Sequence, residues 1–155
     1  MKKWLWYLAV VAAVALLSGN SKSSTDVGKL QPVQAVRISS AGGQVLIETD
    51  TGNFGIGDTL KNAFENLKKT SSAQVFLDTA DYLIIGKNCK ELLPALMGYF
   101  RPACAVCLEQ GAPDMELVGT FLEYHKPKLT LMHYQAGERK LPVLQTREGR
   151  MELVS

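Results

Sequence analysis

Cys104-Ala105-Val106-Cys107 is the most chemically suggestive spacing in the chain. A C-x-x-C pair serves redox or metal chemistry when its first cysteine opens a helix, where the thiolate is stabilised. Here the pair lies in Ala103 to Leu108, a compact apolar run that reads as a strand. Three residues at ~3.3 Å each put the two Cα atoms ~10 Å apart, on opposite faces. A disulfide needs less than ~7 Å. The expectation is therefore two buried free thiols, with Cys89 as a third cysteine and no paired framework.

The remaining candidates are sparser. Asp78 and Asp81 flank Thr79-Ala80. Paired carboxylates do acid–base or metal work, but Asp and Thr are also ordinary turn formers, and turn or capping hydrogen bonds are expected here. His125 and His133 lack the tight His/Cys/Asp spacing of a metal site and are expected at the surface. Gly52, Gly55 and Gly57 precede a helix, where a glycine-rich loop can cradle an anion. Their spacing fits neither G-x-G-x-x-G nor the P-loop, so they read as backbone positions needing positive φ. No catalytic residue, cofactor site or metal site is assigned from these residues.

The elements that must position these groups are legible. Gly55 to Gly86 organises the body. Leu60, Ala63, Phe64 and Leu67 fall at i, i+3, i+4 and i+7, one apolar helix face, with Asp58 as its expected cap. Tyr82-Leu83-Ile84-Ile85, closed by Gly86, is apolar on both alternating faces and suits a strand covered on both sides. Before it, Pro32 to Ser39 and Gln44 to Asp50 read as a hairpin around Ser40-Ala41-Gly42-Gly43. After it, Leu92, Leu93, Leu96 and Phe100 predict a helix from about Lys90 to Phe100, with Pro94 in its first turn. A third helix follows Gly111-Ala112-Pro113-Asp114, with Leu117, Val118, Phe121, Leu122 and His125 along one face, and Pro127 ends it. Leu129 to Tyr134 fits either a strand or a short helix. Leu141 to Leu144 and Met151 to Val154 form a closing hairpin around Arg147-Glu148-Gly149. The expected fold is mixed α/β, a single mixed sheet packed with about three helices and preceded by an N-terminal signal or anchor helix.

That N-terminal segment has the three-part pattern of a secretory signal. Met1-Lys2-Lys3 is basic, Trp4 to Leu17 is unbroken apolar sequence, and small and polar residues follow. As a helix the run spans only ~21 Å of a ~30 Å hydrocarbon core, but Trp4, Trp6 and Tyr7 suit an interface. Ala13-Val14-Ala15 lies inside the run and no A-x-A site ends it, which favours an uncleaved anchor over a secreted protein. Leu17-Ser18-Gly19 resembles the end of a bacterial lipobox, whose next residue is the lipidated cysteine; here it is Asn20, whose amide cannot form the thioether. Three of the 17 basic residues, Lys2, Lys3 and Lys22, precede Asp26. Without them the 15 acidic residues outnumber the basic ones by one. That balance implies no basic face and no nucleic-acid partner. Residues 1–19 are thus read as signal or anchor, 20–28 as a Ser-rich tether, and 29–155 as one extracytoplasmic domain on the cytoplasmic membrane.

The body resembles the N-terminal domain of the Ger(x)C proteins, the C component of spore germinant receptors in endospore-forming bacteria. The resemblance rests on the lipobox-like Leu17-Ser18-Gly19 and on Asp26-Val27-Gly28-Lys29-Leu30 leading into Val33 to Ile38. It continues in Gly57-Asp58-Thr59-Leu60-Lys61-Asn62-Ala63-Phe64-Glu65-Asn66-Leu67, similar to the family's G-x-T-x-x-x-A helix. Tyr82 to Gly86, Lys90 to Phe100, Arg101, Ala103 to Leu108 and Gly111 complete it. The resemblance implies a membrane-tethered, non-enzymatic protein working with membrane receptor proteins. Two other readings stay open on the residues alone: a small exported thiol oxidoreductase using Cys104 and Cys107, and a metal or small-ligand binder using His125, His133 and a cysteine.

Overall fold

The computed structural model describes residues 30–72 and 74–154. The signal or anchor run, the tether and the lipobox-like Leu17 to Asn20 lie outside them. Seven strands form one mixed sheet in the order β4-β3-β2-β6-β7-β8-β9. In chain order these are β2 (Ala35–Ala41), β3 (Gln44–Thr49), β4 (Phe54–Gly57), β6 (Tyr82–Gly86), β7 (Ala105–Gln110), β8 (Val143–Arg147) and β9 (Arg150–Val154). Strands β2, β6, β7 and β8 run parallel; β3 and β4 at one end and β9 at the other are antiparallel to their neighbours. Two short strands, β1 (Leu30–Pro32) and β5 (Gln74–Phe76), pair in parallel as a separate small sheet. The expected single sheet is therefore one large sheet and one small one.

Strand β6 sits where a doubly apolar run must sit. Its neighbours are β2 and β7, and Tyr82, Leu83, Ile84 and Ile85 are all buried. Leu83 and Ile85 join Val36, Ile38, Val45, Ile47 and Val106 in the larger core. Tyr82 and Ile84 join Ala35, Ala105, Cys107 and Leu144 in the smaller core on the opposite face.

Helix α1 (Leu60–Thr70) covers the larger core with Leu60, Ala63, Phe64 and Leu67, the four residues that the helical spacing selects. Its cap is Thr59 and not Asp58. Thr59 has extended backbone, and its side chain accepts from the Asn62 N–H at 3.2 Å. Asp58 instead accepts from Gln44 Nε2 at 3.2 Å. Of the three glycines before the helix, only Gly52 has positive φ, at 78°. Gly55 and Gly57 are in β4, where a Cβ would come within 2.4 Å of Ala63 O and of Ala63 N, respectively. They are needed for backbone contact between strand and helix, a different use of glycine from a turn.

The expected helix from Lys90 to Phe100 is broken in two. A 3₁₀ stretch over Lys87–Leu92 leads into α2 (Leu93–Leu96), a single α-turn with Pro94 near its start. Proline supplies no N–H to bond the preceding turn, so the α-helix begins only beside it. Leu93, Leu96 and Phe100 are nevertheless buried as the spacing requires.

Helix α3 (Met115–Tyr124) starts at Asp114, whose side chain accepts from Glu116 N–H at 3.0 Å, and packs Val118 and Leu122 on the smaller core. Leu117 does not join them; it is 58% exposed. The ambiguous segment forms α4 (Leu131–Gln135), preceded by one bridge between Ala105 and Thr130. Among the described residues there are thus four α-helices where about three were expected. The closing hairpin turns at Glu148 (φ 51°) and Gly149 (φ 76°), the two positive values a type I′ turn demands.

Candidate functional site

The two thiols of C-x-x-C are held apart and buried. Cys104 lies just before β7 and packs in the larger core, while Cys107 lies within β7 and packs in the smaller core. Each is at most 1% exposed, and Cys89, Cys104 and Cys107 are all free. Burial pushes both the Cys104 and the Cys107 thiols up to about 12. A thiol held protonated at neutral pH is neither nucleophile nor soft metal ligand. The strand geometry read from sequence is the reason: alternation sends the sulfurs into different layers.

The carboxylate pair is also divided. Asp78 is exposed in a 3₁₀ turn (Leu77–Thr79). Asp81 pairs with Arg101 Nη2. The residue between them does more. Thr79 Oγ1 accepts from Val33 N–H at 3.1 Å and lies 2.7 Å from Phe76 O, tying the small sheet to the start of β2. Asp50, which the spacing argument did not single out, accepts from Gln34 N–H at 3.3 and 3.1 Å through its two oxygens. Its carboxyl is raised because burial outweighs those backbone bonds.

The histidines are both exposed and serve locally. His125 stacks on Phe121 at 4.4 Å and its Nδ1 lies 3.1 Å from Phe121 O. His133 completes a capping box with Thr130 at the start of α4. Among the described residues, no three His, Cys, Asp or Glu side chains are grouped so as to hold a metal ion. No helix among them is long and apolar enough to cross a membrane.

What the fold does bring together lies on the smaller-core face, near the carboxyl ends of the parallel strands. Arg37 on β2 donates through Nε and Nη2 to the two oxygens of Glu109 on β7, both at 2.7 Å. Its Nη1 donates to Glu48 on β3 at 2.5 Å. The three side chains are 16%, 11% and 31% exposed. Glu109 and Glu48 raise the Arg37 guanidinium further above its ordinary value, against the effect of burial. The register explains the meeting: Arg37 is opposite Glu48 on one side, and its fork passes over β6 toward Glu109, which is paired with Gly86. Beside this cluster is a hollow of about 450 Å³ with Ser39 and Gly86 among its lining and Lys87, Asn88 and Gln110 around it. Open α/β sheets bind ligands at this end. A larger hollow, about 710 Å³, lies between α1 and β5 and is lined in part by Phe64, Tyr99, Lys68 and Asp78. Phe64 and Tyr99 stack there at 4.2 Å.

Arg37, Glu48 and Glu109 are far apart in sequence and carried no motif. The only available signal was a charged residue at alternating positions inside apolar strands. The same face is apolar toward the sheet's end. Phe54 and Ile56 on β4 are 54% and 42% exposed, and Ile56 is paired with the half-buried Leu46 of β3.

No family model, curated protein or solved structure matches this chain.

Proposed function

We propose that this chain is a membrane-tethered, extracytoplasmic interaction domain without catalytic chemistry, an accessory in a spore germinant-receptor-like assembly as the Ger(x)C resemblance implies. The location rests on Lys2, Lys3 and the apolar run Trp4 to Leu17, which by the positive-inside rule leave the body outside. One structural observation carries the binding role. The reactive side chains are committed to core, caps and ion pairs, while Phe54 and Ile56 stand exposed beside the Arg37 cluster on a sheet face that α3 covers only in part. Exposed apolar residues grouped beside fixed charges fit a protein-binding surface.

The thiol oxidoreductase reading is the weaker one, because Cys104 and Cys107 occupy different cores and stay protonated. A photo-reactive residue placed at Ile56 in the full chain, compared with one at Glu123 on α3, tests the binding role in membranes. Crosslinking to a membrane protein from position 56 and not from 123 is the expected result. Equal crosslinking from both positions, or none from 56, removes the reading.

A further inference from the structure

The large sheet ends on two edges that are finished differently. On β4, side chains of α1 take two of the outward main-chain groups. Ile56 N–H donates to Asn66 Oδ1 at 3.0 Å, and Thr70 Oγ1 donates to Phe54 C=O at 2.9 Å. An edge closed this way does not accept another strand. Among the described residues, strand β9 is paired on one side only, with β8.

The type I′ turn fixes which groups of β9 face outward. Its flanking pair, Arg147 and Arg150, exchanges both hydrogen bonds, and so do Gln145–Glu152 and Val143–Val154 two and four residues on. The N–H and C=O groups of Met151 and Leu153 therefore point away from the sheet. Among the described residues, no main-chain bond outside the ladders reaches them.

We propose that β9 pairs antiparallel with β9 of a second copy of this chain, about a two-fold axis at Met151, joining two seven-stranded sheets into one. Charge selects both the partner and the register. Arg150 and Glu152 lie on one exposed face of the strand. With Met151 opposite its copy, the outward groups of Met151 exchange two hydrogen bonds, and Arg150 stands opposite Glu152 twice, in the close non-hydrogen-bonded positions. The two adjacent registers that use the same outward groups place Glu152 opposite Glu152 or Arg150 opposite Arg150. Like charges directly opposite are unfavourable. On the other face Met151 and Leu153, packed beside the smaller core, extend that apolar layer across the join. A two-fold β9–β9 pair uses the same edge of both copies, and α1 bonds to the opposite edge at β4, so pairing stops at two copies and does not run on into a fibre.

The test uses the full chain in detergent, followed by sedimentation equilibrium. One strand pair is a small interface, so a reversible dimer with Kd on the order of 10–100 µM is expected. R150E alone or E152R alone replaces both attractive pairs by like charges and weakens the dimer roughly tenfold or more. An equimolar mixture of the two variants pairs opposite charges again and dimerises at least as well as wild type. The double exchange R150E/E152R within one chain also dimerises, which separates loss of pairing from loss of folding. Met151→Pro removes the outward N–H without touching the ladder to β8, and it abolishes the dimer. A wild type that stays monomeric up to about 1 mM overturns the proposal. So does a dimer indifferent to E152R and Met151→Pro, or a mixture of the two charge variants that stays monomeric.

Discussion

Raising the pH should destabilise this protein through its buried thiols, beginning near pH 9. Cys104 and Cys107 move from an ordinary thiol value of 9.0 to about 12 on folding, chiefly by burial. A group whose folded pKa is raised contributes stability that is fully present below its unfolded value and is lost as pH climbs through the folded one. Below pH 9 both states keep the proton and nothing changes. At pH 10 the unfolded thiol is about nine-tenths ionised and the folded one about one-hundredth, so each thiol withdraws roughly 1–2 kcal/mol. Together they withdraw roughly 2–3 kcal/mol between pH 7.5 and pH 10. Urea denaturation of wild type and of Cys104→Ala/Cys107→Ala at both pH values isolates this part. The double variant starts less stable, having lost buried volume, but its stability falls less steeply. The same burial slows modification at pH 7.5: the thiolate fraction is about a thousandfold below that of an ordinary thiol, before steric exclusion is counted. Thiolate absorbance rising below pH 8 in the folded protein, or a Cys104–Cys107 disulfide in its intact mass, would refute the reasoning and revive the oxidoreductase reading.

Three further outcomes follow from the packing. Leu83→Ala or Ile85→Ala, both at fully buried positions of β6, should cost about 2–5 kcal/mol in equilibrium denaturation; under ~0.5 kcal/mol at both would contradict a central strand. Gly55→Ala drives a Cβ into the Ala63 carbonyl region of α1, so it should destabilise by more than the ~1 kcal/mol of an ordinary small-to-large change, whereas Gly43→Ala, with open space around it, is limited to the strain of its positive φ. Arg37→Met strands two partly buried carboxylates and should cost roughly 2–4 kcal/mol, while adding Glu109→Leu should return at least half of it, because removing one partner of a buried pair is worse than removing both. A double-mutant cycle with no coupling would make the cluster an ordinary surface ion pair.

Local pattern carried the large elements and failed at the contacts between them. Leu60, Ala63, Phe64 and Leu67 name their own buried face, and Tyr82 to Ile85 can only lie where both sides are covered. Strand β4 was hidden because Gly55 and Gly57 look like turn residues until α1 is known to touch their backbone. The helix after β6 was overextended because Pro94 restarts the backbone within it, a local break that apolar spacing does not register. Leu117 falls on the predicted apolar stripe of α3 but stands exposed, while Val118 and Leu122 fill the smaller core and Met115 and Phe121 pack against its margin. The opposite placement of Cys104 and Cys107 was legible, being a matter of parity along one strand. The Arg37–Glu48–Glu109 cluster was not, because its members meet only through the order β3-β2-β6-β7, a long-range pairing no short window contains.

The most direct test of the tethered, outward-facing role is protease treatment of intact protoplasts expressing the full chain, followed by membrane fractionation and intact-mass analysis. The proposal predicts that the chain sediments with the membrane, retains its N-terminus, and loses its body to protease without lysis; Asn20→Cys should convert it to a lipid-anchored form in a lipoprotein-processing bacterium. A body protected until lysis, or protein in the medium lacking its first ~19–25 residues through signal cleavage, would contradict it.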